Sequence, residues 1–253
     1  MPADPRPSTL QRRSAARTAV VWNALRKVLD DQDAGESASV VDIGGGTGGF
    51  AVRVAELGHR VVVVDPSPDA LAILARRAEE SGVARLVTGL QGDLDSLPEL
   101  VRPADVVLCH GVLEIVEDPA AALVALAGAL RPGGTLSLLV HQRHAAVVAR
   151  AMAGHFGQAR TLLDSSALGS DRDSSPHHRF TADEIASVLD GAGFDAVSMH
   201  AVRVFADLVS SSLADLEPGA AQALVDLELA VATRPEYLTL ATQIHALSTR
   251  RTT

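Results

Sequence analysis

The sequence predicts an α/β protein built on a doubly wound β-sheet of seven strands. Three observations carry that expectation. Valine-rich runs alternate with stretches of helical periodicity between residues 39 and 141. Those runs are continuously apolar, as strands are when both faces of their sheet are covered. Directly after the first run, "DIGGGTGG" (42–49) packs five glycines into six positions, which suits a backbone that bends sharply or lets a ligand approach closely.

Each element follows in order. "MPADPRPS", with three prolines, predicts a mobile start. Ala16, Val20, Ala24 and Val28 recur at helical spacing and predict a helix from Thr9 to Asp31 carrying Arg12, Arg13, Arg17, Arg26 and Lys27. "SVVDIG" reads as the first strand and 47–57 as its helix. "RVVVVD" reads as the second strand, followed by a helix over 68–81. "ARLVTG" and "ADVVLCHG" read as the third and fourth strands. Asp118-Pro119 supplies an N-cap and a first-turn proline for a helix ending near Leu130, and "RPGG" closes it before "TLSLLVH", the fifth strand.

Beyond His141 the pattern loosens. "HQRHAAVVARAMAGHFGQARTLL" reads as a helix and "DSSALGSDRDSSPHH" as an exposed loop. Thr181 and Glu184 have capping-box spacing at the start of another helix, for which Gly193 suits a stop. "DAVSMHAVRVFADL" and "EYLTLATQIHAL" read as two further strands, separated by a helix over 219–233. Strand content returns without a linker, so one domain is expected over 1–253: an N-terminal helical lid (1–36), a cofactor-binding half (37–141), a substrate-side insertion (142–180) and a C-terminal part (181–253).

Composition bounds the partners. A chain of 253 residues with 47% hydrophobic and 3% aromatic residues can bury a large core made mostly of Ala, Val and Leu. A net charge of −9 argues against general nucleic-acid or membrane-surface binding and leaves room for a local basic patch. One cysteine, Cys109, excludes an internal disulfide and a cysteine-based zinc site. No apolar run reaches membrane-spanning length, so a cytoplasmic protein without a membrane partner is expected.

A glycine turn after the first strand serves two ligand classes. Gly44, Gly46 and Gly49 satisfy G-x-G-x-x-G, the pattern of dinucleotide enzymes, so an oxidoreductase is one reading. Asp42 discriminates. A carboxylate just before the glycines would repel a pyrophosphate but attract the ammonium of a bound amino acid, so D-x-G-x-G-x-G favours S-adenosylmethionine. Asp65 ends the second strand, where an acid can accept ribose hydroxyls. Asp93 follows the third, where it can accept an adenine amino group while Leu94 covers the ring, and His110 ends the fourth. His141 and His144 lack a nearby acid, and Asp118 is better explained as a cap than as part of an acidic cluster with Glu114 and Glu117. No metal is expected.

These residues resemble the class I methyltransferases and, more narrowly, the bacterial tRNA 5-carboxymethoxyuridine methyltransferases. The likeness runs from about Arg17 to Arg250 through "VVDIGGGTGG", "AELGHRVVVVD", "LCHGVLEIVEDP", "LRPGGTLSLLV", "AMAGHF", "VRVFADL" and "EYLTLATQIH". It implies a Rossmann-like sheet, mostly parallel with an antiparallel last strand, and a helical and loop insertion after strand five. It implies S-adenosylmethionine contacts at Arg17, Gly44, Gly45, Asp65, Asp93, Leu94 and His110, beside Asp42 and Gly46 from the motif. It implies as acceptor the carboxylate of a modified tRNA uridine, a small-molecule acid or hydroxyl being the alternative. The chain departs from the family at "HQRH" (141–144), where an aromatic residue and an asparagine are expected, and at "SSALGSDRDSSP" in place of a lysine-rich stretch. A carboxylate acceptor is already ionised at neutral pH and needs an anchor, not a base. Arg203 is the expected anchor, with Arg143 and Arg150 as secondary candidates.

Overall fold

The computed structural model describes residues 9–31, 37–165, 178–209 and 219–252. In chain order the strands are β1 (Ser39–Ile43), β2 (Arg60–Asp65), β3 (Val87–Gln91), β4 (Ala104–His110), β5 (Leu130–His141), β6 (Phe194–Val202) and β7 (Gln243–Arg250). They form one seven-stranded sheet in the order β3-β2-β1-β4-β5-β7-β6. The first five pair in parallel, and β7 runs antiparallel to both β5 and β6. Strand order therefore reverses between β1 and β4, and a crevice opens beyond their carboxyl ends.

The helices are α1 (Thr9–Asp31), α2 (Ala51–Glu56), α3 (Pro68–Glu80), α4 (Leu97–Leu100), α5 (Pro119–Gly128), α6 (Arg143–Met152), α7 (Phe156–Asp164), α8 (Ala182–Gly191), α9 (Ala220–Val231) and α10 (Pro235–Leu238). Their starts follow local chemistry. The Ser67 hydroxyl accepts from the Ala70 amide at 3.2 Å, ahead of Pro68. Asp118 accepts from the Ala120 and Ala121 amides at 2.9 and 3.1 Å. Thr181 and Glu184 form the reciprocal capping box.

Both faces of the sheet are covered, which explains the unbroken valine runs. Val61 and Val63 of β2 face a core shared with Leu25 and Leu29 of α1, Val54 of α2 and Leu74 of α3. Val64 faces the opposite core, with Leu123 and Leu126 of α5 and Ile185 and Leu189 of α8. Among the described residues no helix is long and apolar enough to cross a membrane.

The structure corrects several element boundaries. The helix expected after β5 is two, because Gly154, at φ 78°, ends α6 with a turn. The strand expected over 195–208 stops at Val202, since Arg203 has φ 61° and reverses the chain. The strand expected from Glu236 begins at Gln243, after the short α10. "RPGG" lies within β5, and β3 is displaced to Val87–Gln91. The expected mobile start and most of the expected Ser/Asp-rich loop lie outside the described residues.

A buried acid holds the turn after β6. Glu228 of α9 is fully buried, and its carboxylate accepts the amides of Val204, Phe205 and Ala206 at 2.9, 2.9 and 2.8 Å. Three converging donors satisfy a charge that would otherwise be costly to bury. Replacing Glu228 by Ala strands those amides, and urea unfolding should show a loss on the order of 3 kcal/mol. A loss below about 1 kcal/mol would mean the turn does not depend on this carboxylate.

Candidate active site

The glycine turn begins where β1 ends. Gly44, Gly46 and Gly48 have φ of 66, 54 and 78°, the left-handed conformation that side chains disfavour. These are the three glycines of the D-x-G-x-G-x-G spacing. Gly49, the last of G-x-G-x-x-G, has neither a positive φ nor a neighbour within 4 Å of an added Cβ. Gly45 is required for a different reason. A Cβ there would lie 2.5 Å from Oδ2 of Asp42, so the turn closes directly over that carboxylate.

Asp42 is therefore buried, and burial, with Asp65 adding to it and Arg17 opposing, raises its pKa to about 7. Asp65, at the end of β2, accepts the Gly46 amide through Oδ2 and the Ser67 amide through Oδ1, both at 2.9 Å. One carboxylate thus ties the glycine turn to the start of α3.

Beside this turn lies a cleft of about 650 Å³ whose walls include Gly44, Asp65, Asp93, Leu94 and His110. Five residues picked from the sequence, carried by β1 to β4 or the turns after them, meet in one crevice. Asp42, Gly45 and Gly46 lie behind the wall. Asp93 also caps a turn: its Oδ1 accepts the Ser96 amide at 3.1 Å and hydroxyl at 2.9 Å, which lowers its pKa.

Arg17 approaches from α1. Its pKa is lowered by burial and by Arg203, while Glu114 and Asp42 oppose, so all four lie within electrostatic reach. Its Nε is buried and has no partner among the described residues. A zwitterionic amino-acid end fits this set: an ammonium would hold Asp42 ionised, and a carboxylate would satisfy Arg17. Arg203 stands differently from its expected place. It pairs with Asp207 at 2.6 Å and lines neither this cleft nor the smaller pocket beside it.

His110 anchors a chain of polar groups that the sequence did not reveal. Its Nε2 is 2.9 Å from Oγ of Ser137 on β5, which is 2.8 Å from Nε2 of His245 on β7. A hydroxyl has one proton to donate, so at least one of the two imidazoles donates to it. Burial and the charge of Arg17 push the His110 pKa down to about 3, so the ring is neutral near pH 7. Phe50 packs edge-on against His110 at 5.0 Å, and Trp22 of α1 lies 6.5 Å from Phe50. The helix carrying Arg17 is thereby keyed to the cleft wall. Ser137 and His245 lie in stretches that carry the family resemblance, but nothing local marks them as partners; strand register brings them together.

This arrangement matches known proteins. Residues 41–136 match the family model described as a methyltransferase domain. The fold resembles magnesium protoporphyrin IX methyltransferase from Synechocystis PCC 6803, solved with bound S-adenosylhomocysteine, at a TM-score of 0.64, with 16% identity over 98% of this chain and 90% of that one. A methyltransferase from Mesorhizobium loti is similar at a TM-score of 0.58, with 21% identity over 93% of this chain and 100% of that one. Fold and cleft define an S-adenosylmethionine-dependent methyltransferase.

The likeness then narrows. The tRNA 5-carboxymethoxyuridine methyltransferase of Escherichia coli K12 is 30% identical over 230 residues, covering 90% of this chain and 86% of that protein. The ubiquinone biosynthesis O-methyltransferase of Xanthomonas axonopodis pv. citri is 35% identical over 125 residues, covering 49% of this chain and 52% of that protein. The chain belongs to the family of the tRNA 5-carboxymethoxyuridine methyltransferases.

The raised pKa of Asp42 has a consequence for stability. Its carboxyl lies above the unfolded value of 3.8, so the native state holds a proton that the unfolded chain has lost. Without ligand, its contribution falls as pH rises from 3.8 to about 7 and is flat above. Asp42→Asn should therefore unfold at higher urea than the parent at about pH 8, the gap closing near pH 4. The same variant should bind S-adenosylhomocysteine at least about tenfold more weakly by calorimetry, a loss of roughly 1.4 kcal/mol. Unchanged affinity would remove Asp42 from the site.

Proposed function

We propose that this protein methylates the carboxylate oxygen of 5-carboxymethoxyuridine in tRNA, giving the methyl ester. The observation that carries the reading is the reach of the likeness. Identity to the tRNA enzymes continues through the part of the chain beyond β5, where an acceptor would be bound, whereas the O-methyltransferase likeness spans half the chain.

When bound, S-adenosylmethionine supplies a methyl group on a sulfonium leaving group. Arg17 and Asp42 would hold its amino-acid end. The turn at Gly44, Gly45 and Gly46 lets the backbone come close, and Asp65 would take the ribose hydroxyls. Asp93 would take the adenine amino group, with Leu94 on the ring and His110 in the cleft wall. Helix α1 would act as a lid through Arg17, its ring contacts joining it to that wall.

The acceptor carboxylate is ionised near neutral pH, so the chain's task is to orient it and exclude water. A net charge of −9 requires tRNA to meet local arginines. Arg143 pairs with Glu184 at 2.9 Å and Arg203 with Asp207, so both charges are partly neutralised in place. Arg150, whose charge is felt at Arg179, remains on the substrate side.

Purified protein and S-adenosylmethionine, incubated with tRNA carrying 5-carboxymethoxyuridine, should yield the methyl ester by nucleoside mass spectrometry. Asp65→Ala should lower cofactor affinity by at least about tenfold, since hydrogen bonds to a charged group contribute roughly 1.5–3 kcal/mol. Methylation of a small acid with no ester on the tRNA would reject the tRNA substrate and keep the enzyme class.

A further inference from the structure

A second pocket of about 160 Å³ adjoins the cofactor cleft. It is lined by Gly111, Glu114, Ile115, His141, His178 and Arg179. Gly111 and Ile115 also line the larger cleft, so the two cavities share a wall. At Gly111 no atom lies within 4 Å of where a Cβ would stand, so open space adjoins the shared wall there.

The polar side of this pocket sets two imidazoles and a guanidinium around the buried Glu114, whose Oε2 has no hydrogen-bond partner among the described residues. Oε1 of the buried Glu114 accepts the His141 amide at 2.8 Å and lies 2.9 Å from His141 Nδ1. A carboxylate only accepts, so Nδ1 carries the proton and Nε2 is the ring atom available to a ligand. The His141 side chain is 46% exposed, so that nitrogen need not be dug out of the core. Nε2 of His178 bonds the Val116 carbonyl at 3.0 Å, which fixes the second imidazole in the wall. Arg179 brings a guanidinium to the same pocket. Burial and Arg150 lower its pKa while Glu114 raises it, and an arginine remains charged throughout.

A histidine oriented by a buried carboxylate is often read as a general base. An ionised acceptor gives such a base nothing to remove, whereas an imidazolium beside an arginine is a fitting partner for a carboxylate. We propose that His141 and Arg179 together grip the acceptor's carboxylate in this pocket, with Glu114 orienting the imidazole. The inference rests on the carboxylate reading above, but not on tRNA as the carrier. It also moves the anchor from Arg203, which lines neither cavity, to residues of the pocket that shares a wall with the cofactor cleft.

The test uses the full chain, S-adenosylmethionine and an anticodon stem-loop carrying 5-carboxymethoxyuridine. His141→Gln and Arg179→Gln should each raise the acceptor KM about tenfold, with kcat nearly constant and S-adenosylhomocysteine affinity retained. A wild-type KM in either variant, or a loss confined to kcat, overturns the clamp. If the parent ignores the stem-loop but esterifies a small carboxylic acid, the same KM comparison on that acid judges the clamp, and only the tRNA reading falls. A parent that esterifies no carboxylate overturns both.

Discussion

One buried carboxylate, Asp42, sets the terms for the rest of the site. The chain closes over it at Gly45, where any side chain would collide with its oxygen. Closing so tightly forces Gly44, Gly46 and Gly48 into left-handed conformations, and Gly44 must also clear Val112 beyond β4. The Gly46 amide is thereby aimed at Asp65, whose other oxygen holds the start of α3. Burying a charge this way is unfavourable in the free protein, which is why its pKa rises to about 7. The compensation has to come from a cation, and Arg17 alone does not restore the ordinary value. A site whose ionised form is incomplete without a positive ligand group is a site built for an ammonium.

The same reasoning separates the two sides of the crevice. On the cofactor side, polar groups sit at the ends of β1 to β4, so their positions follow from the parallel ladder itself. Beyond β4 the chain is less regular, and the positioning comes from ion pairs and hydrogen bonds between distant segments. Glu114 beyond β4 orients His141 at the end of β5, Arg143 reaches Glu184 in α8, and Glu228 in α9 holds the turn after β6.

His110, Ser137 and His245 join these two sides through the middle of the sheet. Ser137 and His245 are fully buried and His110 partly so, and low dielectric strengthens such a chain while making any unpaired member costly. The antiparallel β7 is what brings His245 into line, since its register sets Leu247 against Ser137 and His245 against Leu139 on β5. A cofactor-side histidine is thus held in place by the last strand of the chain, 135 residues further on by number (110 to 245).

What the sequence determined by itself is whatever depends on local chemistry. Valine runs, caps at Asp118 and Thr181, and a glycine turn after an acid depend on neighbours a few residues away, so the sheet and the cofactor crevice were legible. Arg17 was singled out only through likeness to a family, because an arginine on a polar helix carries no local signal. The tertiary structure alone decided the rest. Arg203 is flanked by valines in the sequence, and only the folded chain shows its left-handed backbone and its ion pair with Asp207 four residues on. His141 looked like a solvated helix start, until a buried Glu114, 27 residues earlier, gave its ring a fixed orientation. Which charges neutralise each other and which face a ligand is set by distances between remote segments, and only the folded chain sets those distances.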